Sequence, residues 1–227
     1  VSYAVAVRAA LAAAADPAKA EGMRRYMKSE MPFLGVAKPE RARLVRDAIA
    51  AHPCATKDEW LAEARGLWRG AVHREERYAA TDLTGARRYA GWQTADVLPL
   101  YEEFIVTGAW WDHVDEVAAH RVGPLLRAFP DEITPVVRAW ATDPDRWRRR
   151  TSLICQLAAK ADLDTDLLTH AIESTQDDQD FFLRKAIGWA LRQHARVDPD
   201  WVRAFVDGHP RLSPLSRREA LKHLGGG

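Results

Sequence analysis

Cysteine is scarce in this chain. Cys54 and Cys155 are the two present in 227 residues, far apart and without a CxxC partner. They offer no disulfide framework and point to a reducing compartment, so a cytoplasmic location is expected. Long apolar runs are missing too. No stretch approaches the roughly 20 apolar residues that cross a bilayer, so no membrane partner is expected. The N-terminal Val1-Ser2-Tyr3-Ala4-Val5 leads into an Ala-rich amphipathic segment and reads as no secretory leader. The chain starts without Met and ends in Gly225-Gly226-Gly227, as a trimmed or engineered chain would. Strand signals are weak: apolar and polar residues do not alternate for long, and no Asn-Gly hairpin turn occurs. No GxSxG, Walker loop, GxGxxG or HExxH is present. Asp112, Glu116 and His120 form an i, i+4, i+8 stripe, but three ligands along one helix drift too far apart for one ion. Neither a metal nor a cofactor is therefore expected.

Helix signals fill the chain. Asp16-Pro17 is an N-cap followed by Pro at N1, opening a helix toward Met27. Lys38-Pro39-Glu40 opens the next, to about Ala51. Thr56 with Glu59 three later is a capping box for the helix carrying Trp60 and Trp68. Further segments run over 75–88, 94–106 and 110–120, where Pro124 kinks or restarts the helix. Others cover 131–142, 144–160, 165–174, 180–196, 199–207 and 213–224. This makes about twelve helices joined by short loops. No Ser/Gly linker separates domains, so residues 1–227 are expected to form one domain.

The net charge of +1 excludes nothing, because basic residues matter for nucleic acid only when gathered on one surface. A weak repeat supplies that gathering. Arg149-Arg150, Arg184-Lys185 and Arg217-Arg218 each precede a small-residue apolar stripe, and Arg77-Tyr78-Ala79-Ala80 is a fainter copy. Spacing near 35 residues, with a helix between copies, predicts an α-solenoid of helix pairs. First-turn arginines of successive inner helices would then line a concave face. The competing reading is ordinary surface charge paired with acids such as Asp143 and Asp145. The other outstanding stretch is Trp110-Trp111-Asp112-His113-Val114-Asp115, in which Trp111 and Asp115 share a helix face. Left to pattern alone, tryptophans in a helical array belong to the core and Asp115 to a surface ion pair. Cys155 lies in an apolar stretch and reads as buried and inert.

These strings together resemble the AlkD family of DNA alkylation repair glycosylases. The likeness spans nearly the whole chain. It runs through Arg25-Tyr26-Met27-Lys28, Phe33-Leu34-Gly35, Pro39-Glu40-Arg41 and Glu103-Phe104-Ile105-Val106-Thr107 into the Trp-Trp-Asp-His-Val-Asp stretch. It continues through Phe181-Phe182-Leu183-Arg184-Lys185-Ala186-Ile187-Gly188-Trp189 and Pro214-Leu215-Ser216-Arg217-Arg218-Glu219-Ala220. The resemblance implies an all-α, right-handed solenoid of about six HEAT-like helix pairs with a concave DNA-binding surface. It implies a monofunctional glycosylase that excises N3- or N7-alkylated purines from double-stranded DNA. Family members contact the lesion from the sugar-phosphate side, without base flipping, and act as monomers without metal or cofactor. The family's catalytic carboxylate falls on Asp115, its aromatic partners on Trp111 and Trp189, its phosphate-contacting arginine on Arg150, and a cleft aromatic on Tyr26. A basic position that the family carries after Gln156-Leu157 is Ala158 here, with Lys160 two farther on. The Ala/Arg-rich composition suits a high-GC bacterium.

The chemistry suits these residue types. An N3- or N7-alkylated purine is cationic and already a good leaving group. Its departure moves positive charge onto the deoxyribose, the charge problem of glycoside hydrolysis. A fixed carboxylate and an oriented water meet that need at Asp115. Indoles at Trp111 and Trp189 hold the sugar and attract the growing charge. Such preorganised groups are worth roughly 3 kcal/mol each. Arg148, Arg149, Arg150, Arg184, Lys185, Arg217 and Arg218 are expected on phosphates, giving salt-sensitive binding without sequence preference. Two other functions fit the same fold: a non-catalytic DNA-damage binder, and a protein-interaction solenoid with an exposed apolar groove.

Overall fold

A computed structural model describes residues 1–224 of the chain; the terminal glycines lie outside the described residues. Among those residues every regular element is helical. The helices gather into two compact units, residues 1–93 and 94–227.

The first unit holds α1 (Tyr3–Ala13), α2 (Pro17–Met27), α3 (Lys38–Ala51), α4 (Lys57–Arg69) and α5 (Arg74–Thr84), then a 3-10 segment Arg87–Trp92. The expected caps are present. Asp16 accepts from Lys19 N and Thr56 accepts from Glu59 N, while the Glu59 carboxylate takes Ala55 N. The predicted helix over 75–88 is shorter, because α5 ends at Thr84 and the chain tightens into the 3-10 segment. Trp60, Trp68, Leu67, Leu83 and Tyr89 are fully covered in its core. The loop between α2 and α3 is held from inside. Buried Glu75 accepts the backbone N–H groups of Leu34, Gly35 and Val36 at 2.9, 2.8 and 3.2 Å. Gly35 is required in that loop: its φ is +88°, and a Cβ there would lie 2.0 Å from Asp16 O.

The second unit holds α6 (Leu98–Gly108), α7 (Trp111–Val117), a π-turn Ala118–Val122, α8 (Gly123–Ala128), α9 (Pro130–Trp140) and α10 (Arg146–Ile154). It continues with α11 (Thr165–Thr175), α12 (Phe181–His194), α13 (Pro199–Gly208) and α14 (Pro214–Ala220). α12 packs against α10 on one side and α14 on the other, with α11 and α13 as the intervening helices of each pair. This is the stacked-pair arrangement that the repeat predicts. The three basic pairs fall in one register, at the fourth and fifth residues of α10, α12 and α14. Leu153, Leu168, Ile172, Leu183, Ile187, Leu191 and Val206 form the apolar layer beneath them.

Pro124 leaves its mark just before itself. Without an N–H it cannot donate to His120 O, and the Arg121 guanidinium takes that carbonyl at 2.8 Å instead. The preceding turn widens into a π-turn, with Gly123 N–H reaching back to Ala118 O. Gly123 also lets α8 approach α10 closely, since a Cβ there would lie 2.1 Å from Cys155 O.

Candidate active site

α7 begins at Trp111, and its first two turns form the wall of a cleft. Asp112, Asp115, Glu116 and Ala119 follow the helical i, i+3, i+4, i+7 stripe and line one cavity of about 480 Å³. Trp111, His120, Leu157, Ala158, Trp189 and Gln193 complete its lining. A second cavity of about 270 Å³ adjoins it, bordered by Trp111, Arg150, Phe181, Phe182, Lys185, Trp189, Arg192 and Glu219. Trp111 and Trp189 face both cavities, so the two indoles expected together are brought together. Trp110 turns the other way, into an aromatic cluster with Phe182 and Trp147 at centroid distances of 5.4 and 6.3 Å. Asp112 lines the cleft as well, because it shares the Asp115 stripe.

Asp115 and Arg150 form the centre. The Asp115 carboxylate accepts from Arg150 Nε at 2.7 Å and from Nη2 at 2.8 Å. Such a two-bond pairing fixes the carboxylate plane as well as its position. Arg150 Nη1 donates to Phe182 O at 2.5 Å, so the guanidinium ties α7, α10 and the start of α12 together. Arg150 is 5% exposed. Burial pushes the Asp115 carboxyl above its ordinary value, and the adjacent guanidinium pulls downward without cancelling that effect. No backbone N–H bonds this carboxylate among the described residues. Its remaining lone pairs belong to the cleft.

The other cations expected at DNA lie mostly in ion pairs and hydrogen bonds within the protein. Arg148 meets Glu102 at 2.9 Å and Asp143 at 3.2 Å. Arg149 meets Asp178 at 2.7 Å. Arg184 donates to Asp178 O and to Gln179, Lys185 pairs with Glu219 at 2.8 Å, and Arg217 donates to His209 O. Arg218 is exposed. Tyr26, in the first unit, stands 76% exposed at the end of α2.

Two site residues escaped sequence reasoning. Arg192 and Glu219 border the smaller cavity, and Glu219 pairs with both Lys185 and Arg192. The cations hold the Glu219 carboxyl below its ordinary value, Lys185 foremost. A signal existed: Lys185, Trp189 and Arg192 stand at i, i+4 and i+7 of one helix, a single face. Gly188 makes the arrangement possible. A Cβ there would lie 2.5 Å from Glu219 Cβ and 2.8 Å from Ser216 O, so only glycine lets α14 bring its glutamate beside Trp189.

The DNA alkylation repair enzyme family matches residues 7–224. A solved structure described as a predicted DNA alkylation repair enzyme from Enterococcus faecalis superposes with a TM-score of 0.83 at 29% identity. The match covers 94% of this chain and 98% of that one. No curated protein sequence matches. With the family matched over nearly its full length, on a helical fold shared with that structure, the chain belongs to the DNA alkylation repair enzymes.

Proposed function

We propose that the protein is a monofunctional alkylpurine DNA glycosylase, acting on duplex DNA as a monomer and as one repeat domain. The observation that carries this reading is the Asp115 carboxylate: oriented by Arg150, bonded by no backbone N–H among the described residues, and flanked by Trp111 and Trp189 at an open cleft. A carboxylate of this kind suits a reaction that generates positive charge on a sugar. The cationic N3- or N7-alkylated base leaves with the electrons of its bond to C1′. The deoxyribose becomes oxocarbenium-like, and a water completes the substitution at C1′ while losing its proton. Asp115 stabilises the cation and takes up that proton. The indole faces add cation–π attraction that grows as charge develops.

Arg150 acts in this scheme through Asp115. Its two bonds hold the carboxylate in one orientation, and a phosphate near the cleft mouth would compete for the same guanidinium. Arg148, Arg149, Arg184, Lys185, Arg217, Arg218 and Tyr26 bind the sugar-phosphate strand. The lesion is met from that side, so no pocket for an extruded base is needed, in contrast with the general glycosylase route. The test is base release from a duplex carrying 7-methylguanine or 3-methyladenine under single-turnover conditions. Asp115→Asn is expected to lower the rate about 10²–10³-fold, the usual loss on removing one preorganised electrostatic group. Duplex binding is expected to change less than about twofold, and to weaken steeply with salt for both proteins. Equal excision by wild type and variant would rule out the role given to Asp115.

A further inference from the structure

The smaller cavity beside the Asp115 cleft is bordered by three cations, Arg150, Lys185 and Arg192, and among the described residues by one acid, Glu219. Arg150 is committed to Asp115, so Glu219 is left to answer the other two. It does so with one oxygen each: Oε1 meets Lys185 Nζ at 2.8 Å, and Oε2 accepts from Arg192 Nη1. The group of three therefore keeps one unit of positive charge. Its carboxylate lies inward and its cations outward, with side chains 12% exposed for Glu219 against 41% for Lys185 and 22% for Arg192.

The arrangement is built into a helix contact. Exposed ion pairs are loose and worth little. Here α14 is pressed against Gly188, which lies three positions after Lys185 and four before Arg192 on α12. A Cβ at Gly188 would meet Glu219 Cβ at 2.5 Å, so the carboxylate is delivered between the two cations. Those cations hold its carboxyl below the ordinary value, and it is ionised at neutral pH. A phosphodiester presents the same pattern to a pair of cations: two oxygens sharing one negative charge. The Trp189 indole, assigned above to the sugar, borders the same cavity.

We propose that Glu219 is an internal stand-in for a backbone phosphate, a selectivity residue that limits capture of undamaged duplex. It occupies Lys185 and Arg192 in the free protein, and a phosphate must displace it before gaining both cations. An ordinary duplex offers nothing to offset that exchange. An alkylated duplex adds the attraction of its cationic base for Asp115 and the two indoles. Glu219 acts through Lys185 and Arg192 and does not touch the reacting atoms. The proposal rests on the duplex-binding reading above, and its test reads binding to unmodified DNA rather than excision.

Charge counting on the full chain supplies the test. The slope of log affinity against log salt is about −0.9 per phosphate neutralised on B-form DNA. The group of three counts as one charge in wild type and as two in Glu219→Gln. That variant is expected to bind an unmodified duplex about tenfold more tightly at low salt, the worth of one added charged hydrogen bond. Its slope is expected to be steeper by about 0.9. Arg192→Gln combined with Glu219→Gln leaves Lys185 by itself, one charge again, and is expected to return to the wild-type slope. If Glu219 served packing only, both cations would already meet phosphate in wild type. Glu219→Gln would then leave the slope unchanged, and the double variant would be shallower by about 0.9. Either result overturns the proposal and leaves the duplex-binding reading standing. Wild-type binding that ignores salt overturns both. Should Glu219→Gln fail to fold, the double variant decides the matter, because it removes one cation and one anion together.

Discussion

Glu76 in the first unit and Asp115 in the second are both covered carboxylates bonded to an arginine, yet burial prevails at only one of them. Glu76 meets Arg8 at 2.7 Å and also takes the backbone N–H groups of Val72 and His73. Burial works against its ionisation, but Arg8 and those amides outweigh it and hold the carboxyl below its ordinary value. Asp115 has two bonds from Arg150 and, among the described residues, none from backbone, and burial leaves its carboxyl raised. Glu75, beside Glu76, extends the first pattern with three loop amides. A carboxylate filled by backbone donors serves the fold. One held by a single side chain beside an open cleft keeps acceptor capacity for something that is not protein.

The contrast can be broken at either end. Arg150→Gln should have the largest effect. It leaves Asp115 buried without its cation, with an expected loss of about 3–5 kcal/mol in urea unfolding. The same variant should move the acid limb of excision to higher pH, because the counter-charge that lowers the Asp115 carboxyl is gone. Glu75→Gln comes next: an amide cannot accept all three loop N–H groups, so about 2–3 kcal/mol of stability should be lost. Excision per folded molecule should hold steady in that variant, and a parallel fall would blur the distinction between the two carboxylates.

Titration sharpens the contrast with smaller effects. The Glu76 carboxyl is lowered in the fold, so its stabilisation is present above the ordinary glutamate value and is lost as pH falls through the lowered one. Glu76→Gln should flatten the acid slope of stability measured by urea titration at successive pH values. Asp115 is raised, and only its ionised form stabilises a cation. Excision in wild type should therefore rise with pH through a midpoint above the ordinary aspartate value of about 3.9. A midpoint at or below that value would contradict the assignment. The smallest effect concerns Cys155. Burial pushes its thiol up to about 12, so a neutral-pH thiol reagent should leave it unmodified until the protein unfolds.

Much of this was legible in the chain. Helix starts at Pro17 and Lys57 follow from side-chain caps and that at Lys38 from Pro39 in its first turn, signals that act within three residues. The register of Arg149-Arg150, Arg184-Lys185 and Arg217-Arg218 was visible because a repeat imposes it. What those side chains touch was not. Asp178 for Arg149 comes from the loop before α12, Glu219 for Lys185 from α14 and the carbonyl of Phe182 for Arg150 from α12, and no local rule reports a partner 29 to 34 positions away. The π-turn was half visible: Pro124 announces a disturbance, but whether a helix breaks, kinks or widens depends on what packs against it. Glu219 escaped notice because its place beside Trp189 depends on Gly188, whose missing Cβ matters only once α14 is in position.

The π-turn has a consequence for comparing this chain with its relatives. Asp115 and Gly123 are eight positions apart, and the wide turn lies between them. An ordinary α-turn would span that interval with one residue fewer. A deletion within 118–122 would be absorbed as the turn reverts to regular helix, whereas an insertion has no such slack and would rotate everything after it by about 100° relative to Asp115. Gly123 would then leave the Cys155 carbonyl, and a bulkier residue would take its place at the contact. The segment therefore tolerates the loss of one residue better than a gain. A homologue with a one-residue gap here should be able both to present the carboxylate to the cleft and to close α8 onto α10.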